Sequence, residues 1–172
     1  MRGRLIGGLG IWVLLAAGCG SSGGEPAQSI WCGGLCKAVA RCGFQDPTCQ
    51  SRCEQQNPGL AARTASGAAA EEPCLEQLSC VAIGGDDTAW KTELDACWKQ
   101  AVMSVAVTAR VRQFCPRHAM TWFDCGYTLS VDDCEHEYSM WNDAIINEIA
   151  LCDAKPSCDE FQACEQNVFD SL

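Results

Sequence analysis

Apolar residues and cysteines recur at spacings of three and four along most of the chain, and no stretch alternates convincingly with period two. The first period belongs to helices with one buried face, the second to strands. The pattern predicts an all-α fold with essentially no sheet. Ile30–Cys42 reads as a first helix with Gly43 as its C-terminal cap. Asp46-Pro47 looks like an N-cap with a first-turn proline, opening a helix to about Gln56, which Asn57-Pro58-Gly59 ends. A third helix is expected over Glu71–Ile83, stopped by Gly84-Gly85. Asp87 can cap a long one, Thr88 to about Phe114, ending before Pro116. Arg117–Cys125 reads as a shorter helix. Ser130 with Asp133 has the spacing of a capping box and starts a helix from Val131 to about Cys152. The last helix is expected from near Pro156 to Phe169. Ala101–Ala109 is apolar nearly all round, which suggests a long central helix buried between two halves.

The front end departs from this pattern. Arg2 and Arg4 precede Leu5–Ala17, a run of 13 residues without charge. A helix needs about 20 residues to cross a bilayer, so the run is too short for a span. A basic start, a short apolar core and small residues after it describe a secretion signal over residues 1–18. The signal ends Ala16-Ala17-Gly18-Cys19. Those residues resemble the bacterial lipobox. The resemblance implies cleavage after Gly18, acylation of Cys19 and attachment to membrane lipid. With Gly20 and not Asp next to the cysteine, it favours the outer membrane over the inner one. Two or three acyl chains anchor stably where one binds marginally. Residues 19–29 then read as a lipidated cysteine and a flexible tether, GSSGGEPAQ among them.

The chain has 15 cysteines. Setting Cys19 apart leaves an even number, enough for seven disulfides in an oxidising compartment. Cys32 and Cys36 share one helix face, as do Cys49 and Cys53. Two such helices joined by a short turn lie antiparallel, which pairs Cys36 with Cys49 and Cys32 with Cys53. Crossed pairs exceed the Cα separation of about 7 Å that a disulfide tolerates. Cys42 is turned about 120° from that seam and should reach a third helix, with Cys80 as its candidate. The same register pairs Cys125 with Cys164. Cys74–Cys97 closes the third helix on the fourth. Cys115–Cys134 and Cys152–Cys158 are assigned from the remainder, since spacing alone does not fix connectivity.

Two units are expected, residues 30–114 and 115–172. Cys32, Cys42-Gly43 and Cys49 parallel Cys115, Cys125-Gly126 and Cys134, and Cys74…Cys80 parallels Cys158…Cys164. In this alignment Ala119 and Tyr138 stand in the places of Cys36 and Cys53. Residues 32–53 resemble the twin CX3C helical hairpin of plant hairpin peptides and small mitochondrial chaperones, which carries a fold and no function. The layout of lipobox, tether and cysteine-rich helical body is similar to cysteine-rich lipoproteins of myxobacterial type. That resemblance implies an envelope location more than an activity.

Charge narrows the partners. Cleavage lowers the basic count from 12 to 10 against 22 acids, so the net charge falls from −10 to −12. Nucleic acid and anionic lipid surfaces both require basic patches, so neither is expected as a partner. The sequence holds no GxSxG, P-loop, GxGxxG or CxxC. His136-Glu137 begins like the zinc motif HExxH, but Met140 occupies the second ligand's place. The acids of Asp132–Glu137 suit a helix N-terminus. His118 reads as a surface or core residue. Trp31, Trp90, Trp98, Trp122 and Trp141 read mostly as core wedges, with one or two available for a binding surface. No catalytic residue, metal or cofactor is expected. The favoured reading is a non-catalytic envelope module that binds another envelope or extracellular protein. The alternatives are a redox or metal-handling role and an inhibitor- or toxin-like hairpin.

Overall fold

The computed structural model describes residues 25–172, so the signal, Cys19 and most of the tether lie outside the described residues. Nine α-helices and one 3-10 turn make up this part, and its only β pairing is an isolated bridge between Arg63 and Trp141. The helices are α1 (Ala27–Arg41), α2 (Cys49–Gln56), α3 (Ala65–Leu75), α4 (Cys80–Ile83), α5 (Asp87–Val102), α6 (Ala109–Asp124), α7 (Val131–Tyr138), α8 (Asp143–Cys152) and α9 (Cys158–Asp170), with the 3-10 turn Pro58–Ala62 between α2 and α3. α1 starts inside the expected tether, and α6 runs through the expected boundary at residues 114–115.

All 14 cysteines from Cys32 onward are paired. The bridges are Cys32–Cys53, Cys36–Cys49, Cys42–Cys80, Cys74–Cys97 and Cys115–Cys134, as expected, together with Cys125–Cys158 and Cys152–Cys164. The last two replace the expected Cys125–Cys164 and Cys152–Cys158. The reason is a shift in the repeat register. Cys74 and Cys80 are six residues apart, and so are both Cys152–Cys158 and Cys158–Cys164. The fold matches Cys74 and Cys80 to Cys152 and Cys158. Cys158 starts α9 behind the cap Ser157, as Cys80 starts α4 behind the cap Ser79. Likewise Cys134 matches Cys53 and not Cys49, so Ser130 stands where unit one has Cys49.

With Cys36–Cys49 set aside, each unit has six cysteines joined first to third, second to fifth and fourth to sixth. α1 and α6 end alike. Cys42 and Cys125 are the C-caps, Gly43 and Gly126 both take φ +84°, and the next residue's N–H returns to Val39 or Trp122 C=O. That left-handed turn is the reason for glycine there. α2 matches α7, α3 matches α8, and α4 with α5 matches α9. At Gly34 an added Cβ would come within 3.0–3.3 Å of Glu72, so this glycine lets α3 lie against α1.

Three long expected helices are broken. α5 stops at Val102, and residues 103–108 are a link. Val102, Val105, Val107 and Thr108 are β-branched and stiff in a helix, and Thr108 instead caps α6. The apolar run still fills the centre, because Ala101, Val102 and Val105 pack with Met140 between the units. Ser79 and Asn142 likewise start new helices, α4 and α8, where continuous ones were expected. Conversely, α6 continues through Pro116, merging two expected helices. The units join where Thr64 N–H donates to Met140 C=O and Asn142 N–H to Ala62 C=O. Beside them Arg63 pairs with buried Glu71 and lies 4.7 Å above the Trp98 ring.

Candidate functional site

α6 carries Phe114, His118 and Trp122 one turn apart on the face turned toward α7, α8 and α9. His118 is fully buried. Its Nδ1–H donates to Asp153 Oδ1 at 2.8 Å, and Asp153 is the C-cap of α8. Trp122 Nε1–H donates to His118 Nε2 at 3.0 Å. The Tyr138 hydroxyl on α7 lies 2.9 Å from the same Nε2 and donates to Glu165 Oε1 on α9. Four helices thus contribute to one buried polar cluster. Phe114 stacks on the imidazole at 4.6 Å, and Phe161 and Tyr138 meet it edge-on.

Two demands compete at Nε2. Trp122 needs its lone pair, which exists only in the neutral ring. Asp153 and Glu165 favour the charged ring. Burial alone would lower the His118 pKa; the two carboxylates outweigh it, and the result is raised above the ordinary value. Burial and the Glu165 charge push the Tyr138 hydroxyl up as well. His118 has no exposed atom, and no Ser or Cys nucleophile is hydrogen-bonded to it among the described residues.

Comparison between the units shows that the fold does not require this cluster. Counted from the matched cysteines, His118 and Asp153 stand where unit one has Leu35 and Leu75; Leu75 is buried in the apolar core of that unit, and Leu35 packs against this core. Trp122 replaces Val39, and Tyr127 replaces Phe44.

A cleft of about 420 Å³ opens above the cluster, lined by Trp122, Tyr127, Gln162, Glu165, Gln166 and Phe169. Trp122 and Tyr127 meet at right angles with centroids 5.2 Å apart. On the other side of these two rings lies a second cleft of about 300 Å³, bounded by Leu129 and Tyr138. Tyr127, Phe123 and Met120 are exposed, so the end of α6 presents an apolar face. A groove of about 520 Å³ along α8 and α9 carries Glu148, Lys155 and Glu160 and reads as a solvated surface.

The other residues of interest are dispersed. Met140 is core, and His136 lies 3.9 Å from exposed Asp132. Burial raises the Glu137 carboxyl pKa, and a hydrogen bond from Trp98 partly offsets it. Among the described residues no three His, Cys, Asp or Glu side chains converge as a metal ion would require. Trp31 is core, with its indole N–H unpartnered. Trp98 and Trp141 pack between the units. Asp153 and Glu165 drew no notice in the sequence. The available signal was aromatic residues four before and four after His118. Comparison of the chain with protein-family models, curated proteins and solved structures yields no match.

Proposed function

We propose that the protein is a non-catalytic binding module of a bacterial cell envelope, anchored by lipid on Cys19 and placed at the outer membrane. Seven disulfides suit an oxidising extracytoplasmic location, and no described helix is long and apolar enough to cross a membrane. The observation that carries binding is the departure of unit two from unit one. On one cross-linked scaffold, unit two carries Trp122, His118 and Asp153 where unit one has Val39, Leu35 and Leu75, and Trp122 lines an aromatic cleft. Exposed aromatic residues on a rigid frame are the usual anchors of recognition.

The test has two readouts on protein isolated from its native membrane. Intact mass after thiol alkylation should show acyl chains at Cys19 and no alkylated cysteine. A photo-crosslinking residue at Tyr127 should give a defined adduct in the envelope, and one at Lys91 on unit one should not. Absence of lipid removes the anchor, alkylated pairs shift the reading to redox or metal handling, and no adduct at Tyr127 removes binding at the cleft.

A further inference from the structure

The cleft above Trp122 has a chemical bias. None of its lining residues is Lys or Arg, and the chain is acidic, with a net charge of −10. The Glu165 side chain is 8% exposed, so it is more than nine-tenths buried, yet it lines the cleft. Its Oε1 is held by Tyr138 and lies 3.4 Å from His118 Nε2. No hydrogen bond among the described residues reaches Oε2, which opens into the cleft.

We propose that this cleft binds the quaternary ammonium group of a small organic ligand, seated between the Trp122, Tyr127 and Phe169 rings and facing Glu165 Oε2. The inference rests on the reading of the chain as a binding module and specifies its ligand class. An anion is repelled by Glu165, and a neutral ligand makes no use of its charge. A primary ammonium asks for three acceptors. Among the lining residues Oε2 is the charged acceptor that faces the cleft, beside the neutral amides of Gln162 and Gln166. The Gln166 N–H is given to Asp170. A quaternary ammonium asks for no hydrogen bond and is recognised by aromatic faces with a nearby negative charge. The site is pre-organised. Trp122 is pinned by His118 and meets Tyr127 and Phe161 edge to face. Rigidity of this kind removes the ordering cost of binding.

The experiment titrates choline into the oxidised full chain in a maltoside detergent, following the indole N–H resonance assigned by Trp122→Phe. The neutral isostere 3,3-dimethylbutan-1-ol is the comparison. The expected result is a saturable shift of that resonance by choline in the millimolar range, with binding of the isostere at least about tenfold weaker. Tyr127→Ala, at a half-exposed position, should weaken choline at least about fivefold without altering the helical spectrum. Glu165→Gln should bring choline and the isostere together. Equal binding of the two by the unaltered protein, no shift with choline, or full affinity in Tyr127→Ala overturns the proposal. A missing choline response alongside an intact Tyr127 crosslink rejects the ammonium ligand alone; loss of both rejects the binding module too.

Discussion

His118 Nδ1 lies 2.8 Å from Asp153 Oδ1 at the two positions that unit one fills with Leu35 and Leu75. A buried pair of this kind is costly to break from one side and cheap to remove whole. Taking out one partner of a buried pair costs about 3–5 kcal/mol, whereas an apolar pair of similar volume is often neutral. His118→Leu alone should therefore destabilise the fold by roughly 3 kcal/mol. Adding Asp153→Leu should recover most of that loss. Chemical denaturation of the two single variants and the double one measures the coupling, and additive losses would sink the argument.

The same histidine sets an alkaline limit. Its folded pKa is raised, so its contribution is complete below 6.5 and is lost as pH rises through the folded value. Glu137, raised by burial, acts in the same direction from 4.5 upward. Glu54 and Glu93 are lowered by hydrogen bonds, from Gln50 and Ser79 respectively, and their contribution disappears as pH falls below 4.5. Thermal stability should peak between 4.5 and 6.5 and decline above neutrality. The double leucine variant should lose most of the decline above neutrality, which melting curves across that range would reveal.

Arg63 joins the units through Glu71 and the Trp98 and Trp141 rings. Arg63→Ala leaves Glu71 buried without its partner and should cost about 3–5 kcal/mol. Arg63→Lys keeps the charge and loses the planar stack and the fork, so it should recover only part of this. A lysine variant as stable as the original protein would show that charge alone matters.

Cys36–Cys49 spans 13 residues and has no counterpart in unit two, where Ala119 and Ser130 occupy the matched positions. Replacing both cysteines by alanine should lower stability by about 3 kcal/mol while leaving the helical spectrum and the other six bridges intact. Scrambled bridges in a peptide map would show that the hairpin directs the folding of unit one.

The helical class, the end of α2 at Gln56, the cap at Ser130 and the nested hairpin of residues 32–53 were legible because each depends on local spacing. The N-cap of α2, by contrast, is Thr48 and not the expected Asp46, whose carboxylate accepts from the Thr48 N–H. Helical period and the reach of a disulfide act within a few residues. The limit appears at Cys152, Cys158 and Cys164, where two six-residue spacings look alike. Only the packing of α9 against α8 distinguishes Cys152–Cys164 from Cys152–Cys158. Helix breaks at Ser104 and Asn142 also escaped, because their side chains and the link between the units compete with helix propagation. The cluster around His118 is the extreme case. Its partners come from α7, α8 and α9, between 20 and 47 residues away, and no local period connects them. Sequence alone determined helices, cross-link density and the acidic balance, since these follow from residue type and short-range spacing. Which of two similar units carries a buried charge and an aromatic cleft was decided by tertiary packing, because only there do distant side chains share one low-dielectric space.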